Sequence, residues 1–360
     1  MIPAREPPAS ARFAGLKRTY FGSLASTFTT IALAIVILWI AFEAFDWAVL
    51  SAVWQVSEDV SICREAAGAC WAVIGERGRL ILFGLYPQEE HWRSALACIL
   101  LIVVAVLTCL PRFWSARMIA GLWAIGFLGF YFLMRGGVLG LTPIPERDWG
   151  GLALTLFIFA SVIVIGMPLA VCLALLRQSR LHVISGTIGL IIDGVRALPL
   201  LSILFAAAVL LPLALPQWLE TNQLYRVICG FSLFFAAYQA EIIRGGMAVI
   251  PNGQDEAGQA LGLSYAQRMG LIILPQAFRN ALPPTINQVV VAFKETSLVI
   301  IVGFFEVLAS GNAAYGTGRW TFAYVEVYVF IGLIYFSFVF SLSRYGAYLE
   351  RRGAGAVHHR

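Results

Sequence analysis

Apolar stretches of about twenty residues recur along the whole chain, and no other feature constrains its fold as strongly. Eight of them are candidate membrane-spanning helices, at residues 24–45, 94–110, 116–134, 152–176, about 198–215, 227–243, 284–305 and 323–342. Inside a bilayer every backbone polar group needs an internal partner, so such segments become helices. Only 12% of the 360 residues are charged, which is too few to cover a soluble domain of this size. The sequence therefore predicts an all-α polytopic membrane protein.

Basic residues in the loops predict how these helices are oriented. Arg5, Arg12, Lys17 and Arg18 precede the first apolar stretch, and cytoplasmic segments carry an excess of Lys and Arg. With the N-terminus inside, the inside segments hold more basic residues than the outside segments do. We therefore expect both termini to be cytoplasmic. The first stretch is too long for the apolar core of a signal peptide, so we expect it to be retained as a span.

The chain divides at "LTPIPERDWGG", residues 141–151, where proline and glycine cluster. Three spans precede this point and five follow it. The expected parts are a cytoplasmic tail (1–23), three spans (24–140) with an outside loop (46–93), a five-helix core (149–350) with a cytoplasmic loop (251–277), and a second cytoplasmic tail (351–360).

The outside loop leaves two questions open. Cys63 and Cys70 lie in it, so they can form a disulfide if that side is oxidising and the geometry suits. The segment "GACWAVIGERGRLILFGLYP" in the same loop reads either as an amphipathic element on the membrane surface or as a segment that packs on the spans. The other four cysteines lie in apolar runs and are expected to pack as small hydrophobic residues.

A polar, helix-favouring stretch, "EAGQALGLSYAQRMGLIILPQA", lies in the cytoplasmic loop at residues 256–277. Residues 256–263 and 265–273 each suit a short helix, and Gly262 between them suits a sharp turn because it has no Cβ. Pro275 is expected to begin the approach to the next span. The small residues Ala257, Gly258 and Ala260 leave one side of the first helix shallow, so another surface can come close. From composition alone, the stretch could equally be an ordinary loop.

The spacing within this stretch resembles the EAA signature of ABC importer permeases. Glu256-Ala257-Gly258, Gly262, Ile272 and Leu274-Pro275 match that signature, with Gly258 where the family has Ala. In that family the loop forms a coupling helix that seats in a groove of the cytoplasmic ATPase. The resemblance therefore implies that the ATPase-coupling residues are Glu256, Ala257, Gly258, Leu261, Gly262 and Leu263.

Further motifs resemble the polar amino-acid uptake permeases over residues 149–350. They are "RALPLL" (196–201), "AYQAEIIRGGM" (237–247), "LPQAFRNALPPTINQ" (274–288) and "FKETSL" (293–298). Glu295 stands in the last motif where such permeases often have Asp. The three additional spans resemble the longer M-type subunit of general L-amino-acid permeases.

This resemblance implies a type I ABC importer permease core of five helices plus three N-terminal helices, in the inner membrane of a bacterium. The implied function is a transmembrane subunit of an ATP-driven importer of polar or general L-amino acids. The implied partners are a cytoplasmic ABC ATPase dimer, a second homologous permease subunit in a heterodimer, a periplasmic amino-acid-binding protein and membrane lipid. Nothing suggests nucleic acid as a partner.

No cofactor is expected on this chain, which should be non-catalytic. The phosphate-binding pattern G-x-x-x-x-G-K-S/T is missing from the sequence, so ATP and Mg are expected on the partner ATPase. No CxxC or HExxH spacing is present to suggest a metal site.

Ionisable residues near the spans are candidates for a substrate pathway, because charges in a membrane are costly. Glu241 and Arg244 lie three apart on one helical face, either as a helix-end ion pair or as a gate beside Tyr238. Arg196 could pair with Asp193 or with Glu241. A second group, in "KETSL", consists of Lys294, Thr296 and Ser297, whose hydroxyls could bind a zwitterion or bond back to their own helix.

Two other functional classes are weighed. A secondary amino-acid transporter or channel without an ATPase partner would need its own coupling residues, and two repeating halves would favour it, but none are visible in the sequence. A membrane-embedded enzyme would need a catalytic cluster, whereas the histidines at positions 91, 182, 358 and 359 lie in loops and the tail.

Overall fold

The computed structural model describes residues 19–55, 59–138, 140–216 and 221–355 of the chain. These residues are mostly helical, and they contain no β-strand apart from isolated bridges. Seven of the described helices are long and apolar enough to cross a membrane, and an eighth crossing results if one sharply bent pair forms a single span. The prediction of an all-α polytopic fold with about eight spans is confirmed.

Residues up to Glu76 and residues from Arg77 onward pack as two separate units. In the first unit, α1 is Leu24–Phe45, with the bounds expected from the sequence. Ser23 and Ser26 begin it with a reciprocal capping box, in which each side chain accepts the backbone N–H of the other residue. A π-helical turn extends α1 to Leu50.

Beyond α1 the first unit forms a small loop that is closed by a disulfide bond. A disulfide joins Cys63, in α2 (Ser61–Glu65), to Cys70, so the question left open by the sequence is answered in favour of the bond. The indole N–H of Trp71 donates to the Ala48 carbonyl at 2.7 Å, which fastens the loop to the end of the span.

The remaining helices are long spans alternating with short connecting helices. Their bounds are α3 Ala72–Phe83, α4 His91–Cys109, α5 Ala116–Arg135, α6 Gly151–Arg177, α7 His182–Ala197, α8 Leu200–Ala214, α9 Gln223–Ala248, α10 Gly253–Ala260, α11 Tyr265–Arg268, α12 Leu274–Asn280, α13 Leu282–Glu295, α14 Val307–Gly316 and α15 Tyr324–Gly355.

Two predicted spans differ from the structure in a way that has a local cause. The span expected at about 198–215 is α8, and it joins the preceding α7 through a bend of 104°. Pro199 explains the bend, because a residue before proline avoids the helical region and Leu198 is extended. The span expected at 284–305 is α13 followed by a 3₁₀ turn, Thr296–Val302, which ends at Gly303 with a φ of +89°.

The connection from α3 to α4 packs on protein rather than lying free on a membrane surface. Ile81 is fully buried, and the Tyr86 hydroxyl donates to the Met134 carbonyl at 2.9 Å. Gly84 has a φ of +60° and touches the backbone of Gly150 so closely that a Cβ would lie 2.6 Å from it. Of the two readings of this segment, packing on the spans is the one the structure supports.

The α4–α5 hairpin is attached to the apolar core formed by α6 and α9. Phe130 of α5 stacks on Phe157 of α6 at 5.1 Å between ring centroids, and Trp149 packs edge-on to both rings. At the loop end, the Tyr225 hydroxyl of α9 donates to Glu146 at 3.0 Å. Arg93 of α4 is fully buried, and its guanidinium donates to the Leu133 carbonyl of α5 at 2.7 Å and to the Thr142 carbonyl in the following loop at 2.9 Å.

A buried carboxylate begins α14. Glu306 is fully buried and accepts hydrogen bonds from the N–H groups of Leu308 and Ala309 at 2.9 and 2.8 Å, and from the Tyr335 hydroxyl at 3.2 Å. Burial raises the pKa of Glu306 to about 7, although these three donors favour the charged form. The carboxylate thus ties α14 to α15.

Candidate functional site

The loop between α9 and α13 forms the helical hairpin expected from the sequence. We use "the hairpin" for α10, α11 and the turn between them. Gly262 makes the turn with a φ of +72°, a conformation that costs a residue with a Cβ about 1–2 kcal/mol. The N–H of Leu263 donates to the Gly258 carbonyl at 3.1 Å, which closes the end of α10. Ser264 then begins α11 with a capping box to Gln267.

An ion pair holds the two arms of the hairpin together. The Arg268 side chain donates to Asp255 at 2.7 Å and to the Leu263 carbonyl at 3.0 Å. Arg268 is the main reason that the pKa of Asp255 lies below its usual value, while the slight desolvation acts in the opposite direction. The hairpin therefore has a defined shape in the isolated chain.

The hairpin residues singled out from the sequence divide into exposed and inward groups. Glu256, Ala257 and Gly262 are exposed, and Leu261 at the tip is 79% exposed. Leu263 is half-buried in the turn.

Gly258 does not leave a free shallow side, contrary to the expectation from its size. It is buried, and a Cβ there would lie 3.0 Å from Cδ of Arg268 and 3.3 Å from Ile272 of the same hairpin segment. The space that the missing Cβ leaves is therefore used by this chain itself. The shallow surface of α10 is limited to its exposed side, which carries Ala257 and Ala260.

The hairpin is connected rigidly to the spans. A π-helical turn, Met269–Ile273, follows α11 and leads directly into α12, so Pro275 lies in the first turn of a helix rather than after its end. On the opposite side, Gly246 of α9 lies against Ala277, and Asn280 donates to the Gly246 carbonyl at 3.1 Å. The hairpin thus leads through α12 to a close contact with α9.

Five charged side chains meet where α6, α7 and α9 end or cross, and we call them the charge cluster: Arg177, Asp193, Arg196, Glu241 and Arg244. Arg177 donates to Asp193 at 3.0 and 3.1 Å and lies 3.0 Å from Glu241. Arg244 pairs with Glu241 at 2.8 Å. Arg196 lies 3.9 Å from both carboxylates. Both partners considered for Arg196 are therefore present.

Tyr238 joins this cluster through Arg196. The Arg196 guanidinium lies 5.2 Å from the centre of the Tyr238 ring, and the Tyr238 hydroxyl donates to the Arg196 carbonyl at 3.2 Å. The three candidates Tyr238, Glu241 and Arg196 thus lie together.

Lys294, Thr296 and Ser297 lie at the junction of α13 and its 3₁₀ turn. Thr296 is fully buried and donates to the Phe293 carbonyl at 2.7 Å, and Ser297 donates to the Lys294 carbonyl at 2.9 Å. Both hydroxyls therefore bond back to their own helix. Lys294 is exposed and forms no salt bridge within the described part of the chain.

Two residues that link the spanning helices were not among the candidates chosen from the sequence. Arg177 entered the sequence analysis only within the count of basic residues on the inside, although its position directly after a long apolar run was a usable signal. Gln239 gave no signal of its own, yet it is fully buried and donates to Thr285, so that it links α9 to α13 inside the core. Among the described residues, no group of His, Cys, Asp and Glu could hold a metal ion.

Comparison with known sequences identifies strong similarities over most of the chain. Residues 163–354 match the family described as binding-protein-dependent transport system inner membrane component. The chain is 38% identical to the inner membrane amino-acid ABC transporter permease protein YhdY of Escherichia coli, over 92% of this chain and 91% of that protein. It is 34% identical to the glutamate/glutamine/aspartate/asparagine transport system permease protein BztC of Rhodobacter capsulatus, over 98% and 96% of the two chains.

Among solved structures, a crystal structure of an amino acid ABC transporter with histidines covers 56% of this chain and 92% of its own, at 29% identity and a TM-score of 0.49.

Proposed function

The chain belongs to the family of binding-protein-dependent transport system inner membrane components, and from this membership we propose that it is the permease subunit of an ATP-driven importer that carries polar L-amino acids into the cytoplasm. YhdY is named as an amino-acid ABC transporter permease, and BztC as a permease for glutamate, glutamine, aspartate and asparagine. These names support an amino-acid substrate and give no support to a secondary transporter or channel. Permease subunits of this family are non-catalytic membrane components.

The hairpin is the proposed coupling element, and its exposed tip is the observation that carries this proposal. The exposed part of the hairpin is a polar arm with one exposed leucine, and it consists of Glu256, Ala257, Leu261 and Gly262. Gly258 and Leu263 give that arm its shape from within. A groove in an ATPase would cover the leucine and grip the arm, and closure of the ATPase would then push α12 along α9.

The proposed partners follow from this mechanism. A cytoplasmic ABC ATPase dimer binds and hydrolyses ATP with Mg, since permease subunits of this family are non-catalytic. Two ATPase subunits present two grooves, so a second, homologous permease subunit supplies the other hairpin in a heterodimer. A periplasmic amino-acid-binding protein delivers substrate from outside.

The proposed topology places both termini in the cytoplasm and the residue 46–93 loop in the periplasm of a bacterial inner membrane. The excess of basic residues on the hairpin side supports this orientation. The Cys63–Cys70 disulfide supports it independently, because structural disulfides persist in the oxidising periplasm. The division into three additional spans (24–140) and a five-helix core (149–350) remains the proposed organisation.

The proposed substrate pathway runs past the charge cluster and Lys294. An ammonium on a spanning helix needs water or an anionic partner, so exposed Lys294 supports a hydrated path or a subunit contact at that point. The candidates along the path are Tyr238, Glu241, Arg196, Lys294, Thr296 and Ser297. The test is alanine substitution at each of these positions, assayed for uptake and for substrate-stimulated ATPase activity. Unchanged selectivity and rate in all six variants would reject the proposal.

Three substitutions test the coupling role in the assembled transporter. Glu256→Lys reverses the charge at the tip, Leu261→Asp removes its apolar contact, and Gly262→Trp strains the turn. Each should leave the permease in the membrane but abolish substrate-stimulated ATP hydrolysis and uptake. Glu65→Lys makes the same charge change at an exposed residue of α2 and should behave as wild type. Wild-type uptake in the three hairpin variants would contradict docking of an ATPase at this surface.

A further inference from the structure

A basic groove borders the first half of α7, away from Tyr238. Its residue Arg180 also lines the neighbouring cavity beside Asp255 of the hairpin. The groove consists of two adjoining cavities of about 710 and 590 Å³, which share Ser185 and Gly186. Gly186 opens the groove, because a Cβ at that position would meet no atom within 4 Å. Neither cavity is filled by a side chain of the described residues.

The lining of this groove carries a surplus of positive charge. Arg177, Arg244 and Asp193 line the larger cavity, and Arg180 and His182 line the smaller one. Arg177 is fully engaged by Asp193 and Glu241. Arg244 uses Nε and Nη2 on Glu241, which leaves its Nη1 available. The three lining arginines therefore face two carboxylates, Asp193 in the lining and Glu241 beside it. One positive charge is left over, and the groove suits an anion with several acceptor oxygens.

The position of α7 places the groove at a membrane boundary. The Ser185 hydroxyl donates to the carbonyl of Arg177, the last residue of the spanning helix α6, while Asp193 binds the guanidinium of the same arginine. These two residues are about 12 Å apart along the α7 axis, so the first half of α7 lies against the end of α6. In the orientation proposed above, this end is cytoplasmic.

Apolar side chains border the basic groove. Val183 and Leu190 of α7 are 81% and 76% exposed. Leu190 also lines the larger cavity beside Arg244. A charged groove with an apolar edge at a membrane boundary matches the two ends of a phospholipid, whereas an entirely water-soluble anion would leave the edge uncovered.

We propose that this groove binds an anionic phospholipid of the cytoplasmic leaflet. Its phosphodiester accepts hydrogen bonds from Arg244 and Arg180, its glycerol backbone lies over Gly186, and its acyl chains run along Val183 and Leu190. The lipid neutralises the charge surplus beside the charge cluster. This inference uses only the membrane orientation of the proposed function and does not depend on the substrate.

The test uses the purified full chain in detergent micelles, titrated with dihexanoylphosphatidylglycerol, and follows the midpoint of heat unfolding. Dihexanoylphosphatidylcholine serves as the zwitterionic lipid, and inorganic phosphate as the free anion. Gly186→Leu fills the groove without touching an ion pair, and Gly194→Leu is its matched control, because it makes the same change in open space on the same helix. Arg244→Gln removes the available donor.

We expect saturable stabilisation by the phosphatidylglycerol alone, in the wild type and in Gly194→Leu. Gly186→Leu should abolish it, and Arg244→Gln should weaken the affinity about fivefold, the factor that one interfacial arginine contributes to binding an anionic membrane. Equal responses to both lipids, or equal affinity in Gly186→Leu and Gly194→Leu, would overturn the proposal. Stabilisation by phosphate alone would indicate an anion site instead of a lipid site. If Gly186→Leu prevents the ATPase from co-purifying with the permease while the response to both lipids stays that of the wild type, the groove is a protein contact and the proposal is wrong.

Discussion

The contact between α9 and α12 should tolerate no side chain at Gly246. A Cβ on Gly246 would lie 2.4 Å from the Ala277 carbonyl oxygen, whereas ordinary contact begins at 3.4 Å. Alanine therefore forces the two helices about 1 Å apart. Gly245 is the neighbouring residue of α9, and a Cβ there would meet nothing within 4 Å. The two glycines form a matched pair that isolates this contact.

The expected free-energy difference follows from two opposing effects. Both Gly→Ala changes gain helix propensity of about 1 kcal/mol. Only Gly246→Ala also suffers overpacking, which costs about 1–3 kcal/mol. Gly245→Ala should therefore be more stable than Gly246→Ala by about 1–3 kcal/mol, which corresponds to roughly 1–4 °C in the midpoint of heat unfolding.

Heat unfolding of the purified variants in detergent measures this difference, and uptake by the assembled transporter measures its effect on coupling. Gly246→Ala should also lower uptake per ATP hydrolysed, because α12 carries the movement of the hairpin. Gly245→Ala should retain wild-type uptake. Equal unfolding midpoints for the two variants would refute the argument that the helices touch through Gly246.

Three more predictions concern other buried or closely packed groups. Because the folded pKa of Glu306 is raised to about 7 from 4.5, the folded state retains a proton that the unfolded chain releases, so stability should fall by about 3 kcal/mol as pH rises through that interval and level off above it. Glu306→Gln should flatten this dependence of the unfolding midpoint, and an unchanged slope would contradict the assignment. Denatured wild-type protein should accept four maleimide labels before reduction and six after it, because only Cys63 and Cys70 are paired; six labels before reduction would exclude the bond. Gly258→Ala should keep the free energy of unfolding within about 1 kcal/mol of wild type, because the gain in helix propensity offsets the small shift of Arg268. Gly258→Leu should break the ion pair between Arg268 and Asp255 and lower the stability. Equal unfolding midpoints for the two variants would contradict the close packing at Gly258.

The hairpin shows which parts of a site are legible in a sequence. Gly262 could be assigned to the turn because the requirement for a positive φ is a property of one residue and its neighbours. The spacing of small and acidic residues could likewise be matched to a signature. By contrast, the inward direction of Gly258 depends on where Arg268 and Ile272 lie after the chain has turned. No local sequence pattern distinguishes a glycine that leaves space for another protein from one whose space is filled by side chains of its own chain.

The charge cluster shows the same limit for electrostatics. The sequence suggested a pair of Glu241 with Arg244, three residues apart on one helical face, and a pair of Arg196 with either Asp193 or Glu241. It did not indicate that Arg177 bridges both carboxylates, since that arginine lies on another helix. As a result, the sequence suggested that Glu241 was free to contact a substrate, whereas in the structure its carboxylate is paired with arginines. Thr296 and Ser297 show the opposite case, because their bonds to their own helix were among the alternatives considered.

By itself, the sequence determined the helical class, the approximate number and bounds of the spans, and the presence of a turn at Gly262. These follow from apolar length and backbone hydrogen bonding within one segment, which do not require knowledge of the rest of the chain. Only the tertiary structure decided which charges meet, that α7 and α8 bend apart by 104°, and which glycines lie in contacts between helices. Those properties depend on packing between segments distant in the sequence, where a difference of about one methyl group decides whether two helices can touch.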